Sequence, residues 1–209
     1  MSTILYDYEL DENGYKVRLL LGALGVAHET VGVDMFPGAE QTRSPLIERN
    51  PLGTLPILVD GETVLREAEA ILVYLARRHD PAGTWLPGEP GALGQTMAWL
   101  VFAARDLQAA TLARRTAMFD VPGDAASLEQ ASRAAFNAME DHMVLRGIAG
   151  RRWFVGESAT IADLALFPAF ALSRDHGIDH EAYPALRRWM RAVRTLPGFR
   201  TMPGIPDYH

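Results

Sequence analysis

The sequence predicts an α/β domain with a mixed four-stranded sheet, followed by an all-helical domain. Three observations predict it. Short apolar strand-like runs interleaved with helical periodicity are confined to the first part of the 209-residue chain, up to about Arg78. The stretch from Asp80 to Gly91 is dense in Pro and Gly, the composition of a linker. Every apolar pattern beyond it is helical. These boundaries divide the chain into residues 1–80, a linker 81–91, and residues 92–209.

Thr3 to Tyr8 alternates and is rich in β-formers, so it reads as the first strand, and the polar run Glu9 to Gly14 reads as a loop. Val17, Leu20, Leu21 and Leu24 recur at helical spacing until Gly25 stops the helix. Ala27 to Val33 alternates as a second strand, and 35–43 is an irregular polar loop. Ser44-Pro45 reads as an N-cap followed by Pro at the first position of a short helix. Then come a buried strand, a tight Asp60-Gly61 hairpin, a second strand and a helix opening near Glu67. In the second half, Leu93 to about Phe119 reads as one long helix. Val121-Pro122-Gly123 breaks it from another that runs from Asp124 to about Leu145. Thr160-Ile161-Ala162-Asp163 has the form of a capping box, opening a helix that is apolar on nearly every face and therefore buried. Tyr183-Pro184 opens a last amphipathic helix with Leu186, Trp189, Met190 and Val193 on one face.

The most informative stretch is Asn50-Pro51-Leu52-Gly53-Thr54-Leu55-Pro56-Ile57-Leu58-Val59-Asp60-Gly61, continued by Leu65-Arg66-Glu67-Ala68. Pro56 cannot donate to a ladder, and the Leu55-Pro56 bond is a candidate for the cis form. A bend there leaves the Leu55 N–H and C=O available to pair with the backbone of a ligand. The first N–H groups of the helix near Glu67 attract an anion. A peptide-backbone dock beside a carboxylate dock suits a small acidic peptide. This ordered run resembles the glutathione-binding core of the cytosolic glutathione S-transferase superfamily, and the strand order resembles its thioredoxin-like domain. The resemblance implies glutathione as co-substrate, held by Thr54, Leu55, Pro56, Glu67 and Ala68. It also implies homodimerisation through the Glu67 helix and the first long helix, where Arg66, Arg77 and Arg78 face a partner.

Composition narrows the remaining classes. Hydrophobic residues make up 48% and charged residues 22%, as in an ordinary globular protein. A formal charge of −6 argues against nucleic acid or an anionic membrane as partner. The absence of Cys removes a disulfide framework, a Cys-based zinc site and a cysteine nucleophile. No basic leader and no membrane-length apolar run is visible, so a cytoplasmic location is expected. The six His are scattered without metal-ligand spacing, and no metal is expected; His142 reads as a packed helix residue. The Arg pairs 77-78, 114-115, 151-152 and 187-188 read as solvated faces. No phosphate loop, dinucleotide fingerprint or nucleophile elbow is present.

The chemistry turns on a thiol. Free Cys-like thiols have a pKa of about 8.5, and each unit of lowering takes about 1.4 kcal/mol. The family lowers it with a hydroxyl or thiol near the start of the first helix. Between Tyr8 and Arg18 this chain has neither Ser nor Cys: Asp11 stands at the position of the theta- and zeta-type serine, and Asn13 at that of a zeta-type cysteine. Asn13-Gly14-Tyr15-Lys16-Val17 resembles the nu-class motif and that of the related fungal regulator-like proteins. The resemblance implies that the Asn13 amide faces the glutathione sulfur; equally, Asn13 reads as the helix N-cap. Asp11 near the sulfur would raise the thiol pKa unless it points away, and Ala68 stands where the family usually has a Ser donating to the γ-glutamyl carboxylate. Three readings follow: a transferase conjugating the thiolate to a small hydrophobic electrophile, with Asn13 and one of Tyr8 or Tyr15 near the sulfur; a nu-like glutathione-dependent disulfide reductase; and a non-catalytic binding protein on the same fold. By analogy the second-substrate pocket is lined by Phe102, Arg105, Met118 and Phe119.

Overall fold

A computed structural model describes residues 3–207. Four strands, β1 (Thr3–Asp7), β2 (His28–Gly32), β3 (Ile57–Asp60) and β4 (Thr63–Arg66), form one sheet in the order β2-β1-β3-β4. β2 runs parallel to β1, while β3 and β4 are antiparallel to their neighbours. The parallel pair is joined by α1 (Glu12–Leu24), as a crossover requires, and β3 and β4 by the hairpin read at Asp60-Gly61. Leu5 and Leu58 point to one face, where α1 and α3 (Ala68–His79) cover them with Val17, Leu20, Leu21, Ile71, Leu72 and Leu75. Tyr6, Ile57 and Val59 join Val33, Met35, Leu46 and Leu55 in a smaller cluster under the short helix α2 (Leu46–Arg49). Pro45 occupies the cap position of α2, one residue later than the Ser44-Pro45 pattern suggests.

The helical part comprises α4 (Pro90–Arg105), α5 (Gln108–Phe119), α6 (Ala125–Ile148), α7 (Ile161–Ala171) and α8 (Pro184–Arg194). The run read as one helix from Leu93 to Phe119 is therefore two. No Gly or Pro marks the break at Asp106-Leu107; the Leu107 N–H reaches back to the Phe102 carbonyl at 3.3 Å, and Leu107 turns into the core. Every residue of α7 is buried, and it packs against α1, α4 and α8. The capping box is formed: Asp163 Oδ2 accepts from Thr160 N at 2.9 Å, and Thr160 Oγ1 accepts from Ala162 N at 3.3 Å. Asp163 also accepts from Phe154 N and from Trp189 Nε1 of α8, so one buried carboxylate joins three segments. His142 is packed as expected, stacked on Phe154 with its Nε2 3.0 Å from the Phe154 carbonyl oxygen.

The C-terminal segment returns across α1. Gly198 crosses so near Gly22 that a Cβ on Gly198 would lie 2.1 Å from the Gly22 carbonyl oxygen. Tyr15 Oη donates to the Arg200 carbonyl at 2.7 Å. No helix among the described residues is long and apolar enough to cross a membrane.

Candidate functional site

Strand register brings three segments to one end of the sheet. Tyr6 pairs with Ile57 and Ile57 with Arg66, so the chain leaving β1, the chain entering β3 and the chain leaving β4 lie side by side. Tyr8 to Asn13, Thr54-Leu55-Pro56 and Glu67-Ala68 therefore converge. The Leu55-Pro56 bond is cis, and Leu55 lies just before the first ladder pair of β3. Asn50, fully buried, holds this turn: its Nδ2 donates to the Thr54 carbonyl at 2.8 Å and to Thr54 Oγ1 at 2.9 Å, and its Oδ1 accepts from Leu52 N. At the start of α3, Glu67 takes a left-handed conformation with φ 67°, and no side chain caps the helix. The first N–H groups of α3 beside Ala68 thus keep their donor capacity.

The first turn of α1 differs from the sequence reading. The helix begins at Glu12, inside the stretch read as a loop, and Asp11 rather than Asn13 is its N-cap, accepting from Gly14 N at 2.9 Å. Asp caps as well as Asn does, so residue type alone does not choose between them. Asn13 sits in the first turn, where its Oδ1 accepts from Lys16 Nζ at 2.9 Å. An ammonium only donates, so the amide oxygen must face Lys16 and the Nδ2 group is turned the other way, ready to donate. The same Lys16 Nζ lies 2.8 Å from Glu69 Oε1, tying the first turn of α1 to that of α3.

Asp11 is 2% exposed, and its charge is matched across the domains: Arg115 Nη2 of α5 lies 2.6 Å from Asp11 Oδ1. The adjacent Arg114 is fully buried. It is paired with Asp175 Oδ2 at 2.7 Å and Glu12 Oε1 at 3.3 Å, and it donates to the Leu10 carbonyl at 2.7 Å. The pair 114-115, read as a solvated face, is instead the bolt between the two halves of the molecule. Burial pushes the Glu12 carboxyl up, opposed by Arg114. The signal available in the sequence was two adjacent arginines on a helix beside an Asp-Glu pair 103 residues earlier, and spacing cannot reveal such a contact.

Tyr15 is buried with its hydroxyl committed to Arg200, and burial raises its pKa; it stands away from any thiol role. Tyr8 is half-buried, with its pKa raised by burial and by Asp34, so it keeps its proton. Its ring meets Phe36 and Phe119 edge-on at 6.0 and 5.8 Å, and those two rings stack at 4.8 Å. Phe36, missed in the sequence, lies in the irregular loop after β2. Of the four residues read as a second pocket, Phe119 reaches this aromatic cluster and Met118 is exposed beside it in sequence. Phe102 packs instead on Trp99 and the main core, and Arg105 is exposed and paired with its neighbour Asp106.

Under α1 lies Asp7, at the end of β1 and 2% exposed. Burial pushes its carboxyl up to about 7, opposed by Arg18, whose Nε is 3.0 Å from Asp7 Oδ2. Because the folded pKa is raised, the unfolded chain releases this proton first, and stability falls as pH rises from about 4 to about 7. Asp7→Asn, which mimics the neutral acid, is expected to gain about 2–3 kcal/mol over wild type between pH 5 and pH 8. Urea unfolding at both values checks this, and an equal difference at both would contradict it.

Comparison with known proteins agrees with this geometry. Residues 1–77 match the family model described as glutathione S-transferase, N-terminal domain, and residues 109–197 match the C-terminal domain. The chain is 32% identical over 195 residues to a maleylacetoacetate isomerase of Rhizobium meliloti, covering 88% of each. It is 30% identical over 215 residues to a zeta-class glutathione S-transferase of Euphorbia esula, covering 97% of this chain and 89% of that one. A crystal structure of a glutathione S-transferase from Xanthobacter autotrophicus superposes with a TM-score of 0.85 at 30% identity, covering 97% of this chain and 98% of that one. A glutathione transferase homologue from Lodderomyces elongisporus, solved with two glutathiones per subunit, superposes with a TM-score of 0.84 at 25% identity and 95% coverage of both. Register, cis-Pro turn, helix termini and these likenesses agree: the chain belongs to the glutathione S-transferase family.

Proposed function

We propose that this chain is a working glutathione transferase that conjugates the glutathione thiolate to a small hydrophobic electrophile. The observation that carries this reading is the 2.6 Å contact between Arg115 and Asp11. An unmatched carboxylate at the α1 terminus would oppose a thiolate, and the guanidinium matches that charge, so the pair presents no net negative charge to the sulfur's place. Glutathione pairs its backbone with Leu55 and sets its γ-glutamyl carboxylate on the α3 terminus at Ala68, with Glu67 accepting from its amine. The sulfur lies at the α1 terminus, where Asn13 Nδ2 donates. The thiol proton leaves to solvent, the thiolate forms a C–S bond at the electrophilic carbon, and the leaving group departs with its bonding pair. Tyr8, Phe36, Phe119 and Met118 form the apolar wall for the electrophile. In this reading residues 1–80 hold glutathione, 92–209 supply Arg115 and the second wall, and 81–91 join them.

A second reading is a nu-like disulfide reductase. The Lodderomyces homologue holds two glutathiones per subunit, and two glutathione thiols are the reductant that disulfide reduction consumes, the pair leaving as glutathione disulfide while the substrate disulfide leaves as two thiols. The Rhizobium relative's isomerase name does not transfer easily, because Asp11 and Asn13 stand at the zeta-type Ser and Cys positions. Parallel assays of chlorodinitrobenzene conjugation and mixed-disulfide reduction, on wild type and Asn13→Ala, separate the readings. Conjugation lowered roughly tenfold by the variant supports the first, and inactivity in both assays with no thermal shift from glutathione defeats both.

Missing the Ser hydroxyl at position 68, the site should bind glutathione more weakly than it otherwise would. Ala68→Ser is expected to tighten binding about tenfold, the equivalent of a hydrogen bond to a charged group of about 1.5 kcal/mol. Calorimetry checks this, and an unchanged constant would contradict it.

The exposed apolar residues Leu52, Val64, Met97 and Val101 support a homodimer, the last two one turn apart on α4. Arg78 is already paired with Asp60 at 2.8 Å, which leaves Arg66 and Arg77 as the exposed cations for a partner. Val101→Asp is expected to shift sedimentation from dimer to monomer.

A further inference from the structure

Asp7 takes no part in the proposed chemistry, yet it lies directly beneath it. Its Oδ2 meets Arg18 Nε at 3.0 Å. Its Oδ1 has no hydrogen-bond partner among the described residues and rests against the backbone of Gly14: a Cβ on Gly14 would lie 1.6 Å from it. Gly14 N is the donor that Asp11 caps, and Asn13 precedes it. Arg18 in turn donates through Nη2 to the Glu9 carbonyl at 2.7 Å and to Met202 Sδ. One buried carboxyl thus supports the first turn of α1 from below and, through Arg18, the loop that leads into it.

We propose that Asp7 is a proton-sensitive positioning residue for the α1 end of the glutathione site, closed when the carboxyl is neutral and driven toward opening of residues 8–14 when it is ionised. The inference rests on the functional reading above for the identity of the site. The groups facing Asp7 are Arg18 from α1 and Asp11 and Glu9 from the loop. Its partner on β2 is Gly32, whose following residue Val33 donates its N–H to the Asp7 carbonyl. One cation therefore faces the carboxyl against two like charges. The Tyr8 backbone N–H and Arg18 favour the ionised form, but burial of the carboxyl with Oδ1 pressed on Gly14 outweighs them, and a motion that lifts the turn hydrates it. Any opening that returns Asp7 to water restores its ordinary acidity, so by linkage that opening becomes easier as pH rises to about 7, the value to which burial pushes this group.

Hydrogen exchange of the amides in 8–14, corrected for the intrinsic pH dependence of exchange, reads this directly in the whole protein. Wild type is expected to lose protection tenfold or more between pH 5 and pH 8, while Asp7→Asn keeps it level. Arg18→Gln removes the one facing cation, so the loss should continue to a higher pH even if the Asn variant folds poorly. A purely structural Asp7 would alter global stability and leave the profile of these amides unmoved by either change. The same pH dependence in wild type and Asp7→Asn, or an unmoved midpoint in Arg18→Gln, overturns the proposal. Glutathione binding measured alongside should gain less affinity from pH 6 to pH 8 in wild type than in Asp7→Asn. Failure of glutathione to bind at any pH defeats the functional reading and leaves the exchange result standing.

Discussion

Arg114→Ala is expected to destabilise the protein by about 3–5 kcal/mol, the penalty for removing one side of a buried ionic cluster. The arginine is 2% exposed and faces Glu12, Asp175 and the Leu10 carbonyl at once. Its loss leaves two carboxylates and a carbonyl buried without their donor, and Glu12 Oε2 already has no hydrogen-bond partner among the described residues. In a chain of this size the penalty corresponds to a fall in melting temperature of roughly 6–20 °C. Neutralising a former partner should return part of it, because the surviving cost is an unpaired charge: Arg114→Met with Glu12→Gln is expected to melt above Arg114→Met alone. Thermal unfolding followed by circular dichroism measures all of these. A fall of under 2 °C for Arg114→Ala would show that the cluster does not hold the two halves together.

The second large effect belongs to the neighbouring residue and to activity. Arg115→Leu leaves Asp11 as an uncompensated carboxylate at the α1 terminus. A like charge close to the sulfur raises the thiol pKa, by about one to two units at such separations. At pH 7 the thiolate fraction, and with it kcat/KM for conjugation, is expected to fall roughly 10- to 100-fold. The sign fixes the pH dependence: the deficit should shrink toward pH 9, where the thiol ionises unaided. Arg115→Lys, which keeps the charge without the planar fork, should lie between the two. A deficit constant from pH 6.5 to pH 9 would mean that Arg115 holds the loop in place and does not act on the sulfur.

What the sequence disclosed and what it concealed divide along contact range. The Thr54-Leu55-Pro56 turn, the Asp60-Gly61 hairpin, the Thr160–Asp163 capping box and the amphipathic α8 depend on residues a few positions apart, and each formed as read. The convergence of that turn with Glu67-Ala68 follows from the register of the same short strands. Asp11 and Arg115 lie 104 residues apart, as do Leu10 and Arg114. Nothing local distinguishes arginines that fold over a partner from arginines that face water. The two-residue break before α5 was hidden because apolar periodicity continues across it without a helix breaker. Asn13 and Asp11 are both good caps, and only the turn of the backbone decides between them. Tyr15 looked free for catalysis because the C-terminal segment that takes its hydroxyl lies 185 residues away.

With Asn13 donating and Arg115 cancelling Asp11, the α1 terminus is expected to favour a thiolate on bound glutathione. Ultraviolet difference titration of glutathione bound to the wild-type protein measures this. Thiolate absorbance is expected to appear with a pKa of about 6.5–7.5, below the free-thiol value of about 8.5. A bound thiol that titrates at or above that value would contradict it.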